Sequence, residues 1–249
     1  MTLSSNDQER SADSTDEKRG RIKTMFGAIA GRYDLLNTIL SFGQDRRWRK
    51  SSLRRLGLER GDLLVDIAGG TGDVALTAAK LQPRLGAALV LDFSEPMLRM
   101  VQPKREHSRI RPAVIPIAAD AVSLPLPGGC ADAVTIAFGI RNVVDVPAAL
   151  GEMNRILKPG GKLLILEFAV PRGRLFGPVF RWYFMRVLPW IGGLVSGSRA
   201  AYEYLPRSVD EFFKPEEMVG LMRGAGFNTI VTKRYNFGVV VTYNGEKSV

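Results

Sequence analysis

The most constraining feature of this sequence is a short apolar run that ends in a glycine-rich turn. Residues 63–67 are apolar except for Asp66, and the next five positions include Gly69, Gly70 and Gly72. A helical pattern begins directly after the turn, so the stretch predicts a buried strand, a turn and a helix start. Glycine permits positive φ angles and lets a ligand approach the main chain closely. Because the first amides of the helix point towards whatever lies above the turn, we predict a nucleotide-type binding site.

The residues around this turn narrow the class of ligand. A Walker-type phosphate loop needs a lysine after its last glycine, whereas here Gly72 is followed by Asp73, whose charge would repel a phosphate. A second acid, Asp92, ends the next apolar run, where a carboxylate can accept both hydroxyls of a ribose. A nucleoside with a cationic group and no phosphate is S-adenosylmethionine. The alternative is an ordinary strand-to-helix turn with two capping aspartates, because a lone glycine fingerprint is a weak signal.

Composition limits the class of protein further. The 249 residues, of which 45% are hydrophobic, fit one α/β domain. One cysteine, Cys130, excludes an internal disulfide, and the polar first twenty residues lack the apolar core of a signal peptide. No apolar run reaches the roughly 18 residues of a membrane span. The net charge of +10 favours an acidic partner, either nucleic acid or an anionic membrane face.

The chain divides into a tail and one domain. Residues 1–20 are polar and predict a disordered tail, and residues 21–249 predict a single domain in which strand and helix patterns alternate. The predicted strands are 63–67, 87–92, 114–118, 132–138, 162–168, 228–235 and 238–243, and the predicted helices between them are 73–81, 95–101, 147–157 and 215–225. This alternation predicts a doubly wound, mostly parallel sheet. The short connection at 235–238 predicts a hairpin, so we expect the last strand to be antiparallel.

Residues 171–210 interrupt this alternation with a dense run of aromatic and aliphatic side chains. The stretch 172–207 contains six arginines and one acid, Glu203. Arginines between apolar groups suit a helical lid that holds an apolar ligand near a lipid headgroup layer. An ordinary helical cap over the core is the alternative.

Several longer motifs carry a resemblance to one family. They are MFGAIAGRYDLLN at 25–37, SFGQDRRW at 41–48, DIAGGTGD at 66–73, FGIRN at 138–142, LKPGG at 157–161, LEF at 166–168 and YEYLPRS at 202–208. Together they resemble the demethylmenaquinone and 2-polyprenyl-benzoquinol C-methyltransferases, a branch of the class I S-adenosylmethionine-dependent methyltransferases. The resemblance covers about residues 20–245.

The resemblance implies a class I S-adenosylmethionine-dependent methyltransferase fold, which is Rossmann-like. Such a fold has a seven-stranded, mostly parallel sheet with the last strand antiparallel, and here a helical insertion precedes the last two strands. Together with the glycine turn, the resemblance predicts cofactor contacts at Gly69, Gly70, Thr71, Gly72, Asp92, Asp120 and Ala121. We expect no metal site. The family often has serine where this chain has Ala137, so one cofactor contact is lost or replaced there.

The resemblance also indicates the chemistry. The methyl group of S-adenosylmethionine is bonded to a sulfonium, so its acceptor must be an electron-rich centre such as a ring carbon of a reduced quinol. By resemblance, Arg141, Asn142 and Tyr33 line the acceptor site, and we hypothesise that they polarise a quinol hydroxyl or a bound water. For Arg141 the alternative is a structural ion pair with a carboxylate at the edge of the sheet. His107, the one histidine, lies in a charged stretch away from the strand ends, and we reject it as the base.

Three functions remain in competition at this stage. We favour C-methylation of a polyprenylated quinol, demethylmenaquinol first, with the polyprenyl-methoxy-benzoquinol of the ubiquinone pathway, or both, as the alternative. RNA methylation is disfavoured because FGIRN replaces the Asn/Asp-Pro-Pro-aromatic loop that is common in base N-methylation, and a non-catalytic membrane module is disfavoured by the intact cofactor turn. We therefore expect a quinol and a membrane surface as partners, and no nucleic acid. A homo-oligomer is left open, and we expect the protein in the cytoplasm, peripherally attached to the inner face of the cell membrane.

Overall fold

One seven-stranded sheet forms the centre of the molecule. The structure, a computed structural model, describes residues 5–171, 176–190 and 199–248. The strands are β1 (Leu63–Ile67), β2 (Ala87–Asp92), β3 (Ala113–Ala118), β4 (Ala131–Ala137), β5 (Leu157–Phe168), β6 (Phe227–Tyr235) and β7 (Val240–Lys247). Their order is β3-β2-β1-β4-β5-β7-β6, and β7 is antiparallel to both of its neighbours while the other six strands share one direction. The predicted sheet and its reversed last strand are confirmed.

Helices cover both faces of this sheet. They are α1 (Ser5–Leu40), α2 (Gln44–Leu56), α3 (Asp73–Leu81), α4 (Glu95–Leu98), α5 (Val101–His107), α6 (Val146–Ile156), α7 (Phe176–Trp182), α8 (Arg199–Asp210) and α9 (Pro215–Gly224). The helix predicted at 73–81 has those bounds. The helix predicted at 95–101 is instead two short helices, with Arg99 and Met100 between them still in helical conformation. The hydrophobic patterns therefore located the elements, and the errors lie at their ends.

The chain leaves an open crevice where the strand order reverses, between β1 and β4. Strands β2 and β3 follow β1 on one side, and β4 lies on its other side, so the carboxyl ends of β1 and β4 face a topological switch point. Ala68 and Phe138, the residues that directly follow these strands, both have positive φ angles, of 48° and 57°. A Cβ atom on Gly139 would lie 2.6 Å from the Cβ of Ala68. Only glycine therefore lets these two strand ends pass each other.

The stretch 158–161 lies within a strand, although the sequence predicted it as a connection. The predicted helix ended at residue 157 and the predicted strand began at residue 162. Helix α6 does end there, at Ile156, but β5 begins at once with Leu157. The pairing of β4 with β5 then shifts in register, because Ala131 pairs with Leu157 whereas Ala133 pairs with Lys162. The bulge contains Pro159, which has no amide hydrogen, and Gly160 with φ of 72°.

The first helix begins earlier than the composition indicated. We expected a disordered tail up to residue 20, but α1 extends from Ser5 to Leu40. Side chains near residue 20 already belong to the folded body, because Arg19 lies 3.3 Å from Asp120 and Ile22 is 4% exposed. Polar composition argues against burial but not against a helix, since an anchored helix gains one hydrogen bond for each residue added.

The insertion is helical and packs on α1. Helix α7 continues into one π-helical stretch, Tyr183–Val187, and α8 follows after the residues 191–198. Phe184 and Leu188 are buried against Ile29 and Leu36 of α1. Five residues of the predicted lid lie outside the described residues: Arg172, Arg174, Ile191, Leu194 and Val195. Within the described ranges, no helix combines the length and the hydropathy that a membrane crossing requires.

Candidate active site

A first cavity of about 300 Å³ lies over the carboxyl ends of β1, β2 and β4. Its lining includes six of the seven predicted cofactor residues, which are Gly69, Gly70, Thr71, Asp92, Asp120 and Ala121. Gly72, the seventh, instead precedes α3 with φ of 81°, so it shapes the turn without reaching the cavity surface. Ala137 also lines this cavity. Six of the predicted residues, which are up to 52 positions apart in the chain, therefore line one cavity.

Asp92 is held rigidly at the end of β2. Its Oδ2 atom accepts a hydrogen bond from the amide of Gly70 at 2.9 Å, and its Oδ1 atom accepts one from the amide of Ser94 at 2.8 Å. The side chain is 7% exposed, and burial raises its pKa, although these two amides oppose the shift. Each carboxylate oxygen keeps a lone pair that can accept a further donor. A fixed carboxylate with two remaining acceptor sites suits a vicinal diol.

Asp66 is a binding candidate that the sequence analysis did not include. The residue is 0% exposed, its Oδ1 atom accepts from the Thr135 hydroxyl at 2.7 Å, and it lines the cavity. Its buried Oδ2 atom has no donor in hydrogen-bond geometry among the residues that the structure describes, although the amide of Ala75 lies close enough to stabilise the carboxylate. Burial raises the pKa of Asp66 to about 7, partly opposed by the Thr135 hydroxyl and the Ala75 amide. The signal in the sequence was its place, a lone acid inside an otherwise apolar strand.

Thr71 is engaged by the protein itself. Its hydroxyl donates to Oδ1 of Asp34 on α1 at 2.6 Å and accepts from Nζ of Lys104 on α5 at 3.1 Å. Lys104 also lies 2.7 Å from Oδ2 of Asp34 and pairs with Asp73, which pairs in addition with Arg49 of α2. These contacts fasten α1 to the glycine turn. A cofactor contact of Thr71 stays a prediction.

The first residue of α3, Asp73, is the centre of this charged group. Burial disfavours its carboxylate, but the cations Arg49 and Lys104 outweigh burial and hold the pKa of Asp73 below its ordinary value. The carboxylate therefore stays ionised beside the cavity. Because Arg49 and Lys104 compensate this charge, the expectation that the turn repels phosphate stays a prediction.

A second cavity, of about 100 Å³, adjoins the first and is mostly apolar. Five residues line both cavities: Phe26, Tyr33, Asn37, Arg49 and Phe138. The insertion closes the far side of the second cavity with Phe180, Tyr183, Phe184, Leu188, Tyr204 and Leu205. The surfaces of both cavities are mostly apolar, but they differ in their acidic side chains: the first cavity is lined by Asp34, Asp66, Asp73, Asp92 and Asp120, and the second by Asp45 alone. We call the first the polar cavity because of these aspartates and the second the apolar cavity. Aromatic side chains lie at the junction of the two.

The three predicted acceptor residues occupy different parts of this arrangement. Tyr33 lies at the junction, Arg141 lines the second cavity and Asn142 lines the first. Burial raises the pKa of Tyr33, with the charge of Arg141 and a bond to Asn37 opposing the shift, so the phenol is a hydrogen-bond donor at neutral pH. The structure thus places Tyr33 at the junction, Arg141 on one side of it and Asn142 on the other, and a shared acceptor site stays a prediction.

Arg141 makes the ion pair that we named as its alternative role. Its Nη1 atom lies 2.7 Å from Oε1 of Glu167 and donates to the carbonyl of Phe138 at 2.6 Å. The side chains of Arg141 and Glu167 are 5% and 1% exposed. Glu167 lies in β5, between β4 and β7, rather than in an edge strand. The guanidinium still borders the second cavity, so its part in the chemistry stays a prediction.

Other polar groups do not extend the site. Among the described residues, no group of three or more histidine, cysteine, aspartate or glutamate side chains could hold a metal ion. His107 ends α5 and Cys130 precedes β4, and neither lines the two cavities.

Comparisons with known proteins agree with this geometry. The sequence profile of the ubiE/COQ5 methyltransferase family matches residues 13–247. The ubiquinone/menaquinone biosynthesis C-methyltransferase UbiE of Geobacter sulfurreducens is 46% identical over 94% of this chain and 91% of that protein. The demethylmenaquinone methyltransferase of Thermus thermophilus is 47% identical over 90% of this chain and all of that protein.

Solved structures agree on the fold. An S-adenosylmethionine-dependent methyltransferase of Thermotoga maritima has a TM-score of 0.64 at 22% identity, over 90% of this chain and 99% of that one. The [4+2]-cyclase SpnF has a TM-score of 0.67 at 16% identity, over 92% and 95% of the two chains. At such low identity the likeness shows the fold alone.

The fold is the Rossmann-like fold of class I S-adenosylmethionine-dependent methyltransferases. Within that class, the extent of the profile match and the identity to curated relatives decide the family. The chain belongs to the ubiE/COQ5 methyltransferase family.

Asp66 makes a testable prediction about stability in the cofactor-free protein. Its folded-state pKa, about 7, lies above its ordinary value of 3.8. The folded protein therefore binds this proton more tightly than the unfolded chain does, and the resulting stability is complete below pH 4 and is lost as the pH rises through 7. We expect the unfolding free energy of Asp66→Asn, relative to the unaltered protein, to rise by about 4 kcal/mol between pH 4 and pH 8.

The measurement is chemical denaturation of both proteins across that pH range. Asp132→Asn is the matched control, because the amide of Leu63 and the ammonium of Lys158 outweigh burial and lower the pKa of Asp132. Its relative stability should therefore change in the opposite direction. A pH-independent difference for Asp66→Asn would mean that Asp66 is ionised at neutral pH in the folded protein.

Proposed function

We propose that this protein transfers the methyl group of S-adenosylmethionine to a ring carbon of a polyprenylated quinol, demethylmenaquinol in the first place. The observation that carries the proposal is the junction of a polar and an apolar cavity, which share Tyr33 and Phe138. The relatives named as demethylmenaquinone and ubiquinone/menaquinone methyltransferases support the same substrate class. The benzoquinol of the ubiquinone pathway, alone or together with demethylmenaquinol, is the alternative substrate.

The residues of the first cavity fit S-adenosylmethionine. The fixed carboxylate of Asp92 suits the two ribose hydroxyls, and the glycine turn offers main-chain approach. The unpartnered Oδ2 atom of Asp66 suits a cationic donor such as the ammonium of the methionine part. Asp120 and Ala121 line the same cavity near the end of β3. When bound, the cofactor would supply a methyl group that is already activated by its sulfonium.

The second cavity fits an aromatic acceptor with an apolar tail. Trp48, Phe138 and Phe168 pack together beside it, with the rings of Phe138 and Phe168 4.6 Å apart. Such walls exclude water, so a polar group placed there acts in a low dielectric. In our proposal the phenol of Tyr33 and the side chains of Arg141 and Asn142 act on a quinol oxygen. A quinol that has lost its hydroxyl proton pushes electron density onto the ring carbon that attacks.

The direct experiment is a methyl-transfer assay with the purified protein. We expect labelled methyl from S-adenosylmethionine to appear in menaquinol when demethylmenaquinol is supplied in micelles under reducing conditions. The oxidised quinone is the matched control, because its ring carbons are electron-poor and it should accept no methyl group. Parallel reactions with the benzoquinol and with RNA separate the alternatives. Methyl transfer to RNA alone, or to neither quinol, would disprove the proposed function.

Asp92 provides a test of the cofactor site. Two charge-assisted hydrogen bonds to the ribose contribute about 1.5–3 kcal/mol each. Asp92→Ala should therefore raise the dissociation constant for S-adenosylmethionine by roughly 100-fold or more in calorimetry.

Asp145→Ala is the control for this test, since Asp145 also accepts a main-chain bond, from Ala148 at 2.9 Å, but lies outside both cavities. It should lower stability and leave cofactor affinity unchanged. An unchanged affinity in Asp92→Ala would remove Asp92 from the site.

We also propose that the protein acts in the cytoplasm, at the inner face of the cell membrane, to which it binds peripherally. Exposing one five-carbon unit of a prenyl tail to water costs about 3–4 kcal/mol, at roughly 0.8 kcal/mol per carbon, so the tail should stay in lipid or be covered by protein. The helices around the second cavity carry two outward apolar stripes. These are Leu35 and Ile39 on α1 with Phe42 in the turn that follows it, and Val179, Trp182 and Trp190 on the insertion. The ring of Phe42 lies 6.3 Å from that of Tyr183, so the two stripes adjoin at the cavity.

Charge on the insertion favours an anionic lipid surface. Arg181 and Arg186 are exposed beside Trp182, and each cation near such a surface contributes about 1 kcal/mol. In the lid that the sequence predicted, the apolar side chains of the insertion hold the ligand, but their exposure divides them into two groups. Trp182 and Trp190 are 63% and 67% exposed, whereas Phe180 and Phe184 line the cavity. In the proposal the tryptophans therefore contact lipid, and the phenylalanines contact the acceptor.

This division predicts that membrane binding can be weakened without changing substrate binding. Replacing Trp182 and Trp190 by serine should weaken co-sedimentation with phosphatidylglycerol vesicles and leave the KM for a short-tailed quinol in detergent unchanged. The remaining binding should fall as salt rises, because exposed charges are screened. Val231→Ser is the control, as Val231 is 51% exposed on β6. If the unaltered protein bound no vesicles at low salt, or if Val231→Ser weakened binding equally, the membrane proposal would be wrong.

A further inference from the structure

The side chains of Tyr204 and Asn142 join the two cavities. Tyr204 belongs to α8 of the insertion and lines the second cavity, whereas Asn142 ends the short 3-10 helix after β4 and lines the first. The Tyr204 hydroxyl donates to Oδ1 of Asn142 at 3.0 Å. Within the described ranges, this is the one hydrogen bond that the Asn142 side chain makes. The contact links the roof of the apolar cavity to the wall of the polar one.

We propose that Tyr204 is a positioning residue for methyl transfer, one that fixes the Asn142 amide with its nitrogen directed at an oxygen of the acceptor. The inference rests on the proposed function. A primary amide has one acceptor end and one donor end, and a hydroxyl donating to the oxygen leaves both N–H groups available. A quinol oxygen, and a phenolate oxygen even more, accepts such hydrogen bonds. Tyr204 thereby selects the donor end of Asn142 for the substrate.

The environment of Tyr204 keeps its hydroxyl a donor. Burial raises the pKa of Tyr204, although the nearby charge of Arg141 opposes the shift. The phenol is therefore neutral throughout the physiological pH range. Leu205, the next residue, lines the second cavity and packs in one cluster with Phe184 and Leu188. The packing of Leu205 in this cluster holds α8 in place. An acceptor that fills the second cavity would contact the same helix and so further fix the Tyr204 hydroxyl.

The role differs from a direct contact of Tyr204 with the substrate. If Tyr204 acts through Asn142, removing its hydroxyl matters only while the Asn142 amide is present. Two side chains that act as one unit give non-additive effects in a double-mutant cycle. This non-additivity is the signature that a purely structural tyrosine, or a tyrosine that contacts the quinol by itself, would not produce.

The experiment combines Tyr204→Phe with Asn142→Ala. We expect Tyr204→Phe to lower kcat about five- to tenfold, the equivalent of one hydrogen bond, with the KM for S-adenosylmethionine within about twofold of the unaltered value. In the Asn142→Ala background the same change should lower kcat no further. Tyr235→Phe is the control, because it removes a hydroxyl that bonds to Ser51 at 3.1 Å outside both cavities. It should leave kcat unchanged.

Nuclear magnetic resonance tests the inference without measuring activity. The chemical shifts of the Asn142 side-chain amide, assigned by the loss of its signals in Asn142→Ala, should change in Tyr204→Phe and stay the same in Tyr235→Phe. Unshifted signals would overturn the inference, and so would an equal fall of kcat on Tyr204→Phe in both backgrounds. If instead the amide signals shifted but the unaltered protein methylated no quinol, the proposed function would fail while the contact itself stood.

Discussion

The pairing of Asp73 with two cations holds the walls of the cofactor cavity together. Asp73 begins α3, Arg49 comes from α2 and Lys104 from α5, and Lys104 reaches on to Asp34 of α1. Arg49 also pairs with Asp45 on its own helix. The side chains of Arg49 and Asp45 are nearly inaccessible to water, and the others are about a quarter to a third exposed. Because each cation has two carboxylate partners, removing one member of the group would leave the others with fewer partners and loosen the contact between these helices.

The position of α1 follows from this pairing. Asp34 fastens the helix to Thr71 at the glycine turn, and on either side of Asp34 the helix presents Tyr33 and Asn37 to both cavities. Leu36, on another face of the same turn, is fully buried against the insertion. One helical turn therefore carries the charge that fixes it, the side chains of the junction and the apolar contact that supports the roof. The motif at 33–37 needs all of these residue types within five positions.

The sequence predicted those features that depend on local pattern. The apolar run before the glycines, the helix at 73–81 and the reversed last strand were found because periodicity and turn length act over a few residues. The same holds for Asp92, whose place at the end of a strand is readable from the run that precedes it. The extent of α1 was misjudged because composition reports the lack of burial, and helix extension does not require burial.

The features that the sequence did not predict depend on partners distant in the chain. An ion pair of Arg141 was considered, but its partner, Glu167, was not identified, and the bond of Tyr204 to Asn142 across 62 residues was not predicted. No spacing rule predicts either contact, because each one is set by how α8 and β5 pack on the strand ends. The exposure of Trp182 and Trp190 was not predicted for a different reason. Most residues of this segment are apolar, and it contains a π-helical stretch, so helical periodicity could not decide which side chains point inwards.

The arrangement of the two cavities also bears on how the substrates meet. In the proposed reaction the charged nucleoside comes from water and the apolar quinol comes from lipid. A single shared entrance would have to admit both of them. Here the polar cavity is bounded by the strand ends and α1, whereas the apolar one is bounded by α1 and the insertion. Tyr33 and Phe138 belong to both walls, so the methyl group has to move only across the junction that these two side chains border. Phe138 takes a positive φ angle and Gly139 lies against Ala68, which fixes this junction to the ends of β1 and β4 rather than to a mobile loop. Rigid strand ends can hold the reacting atoms in line, and helices at the outer sides can admit each substrate from its own solvent.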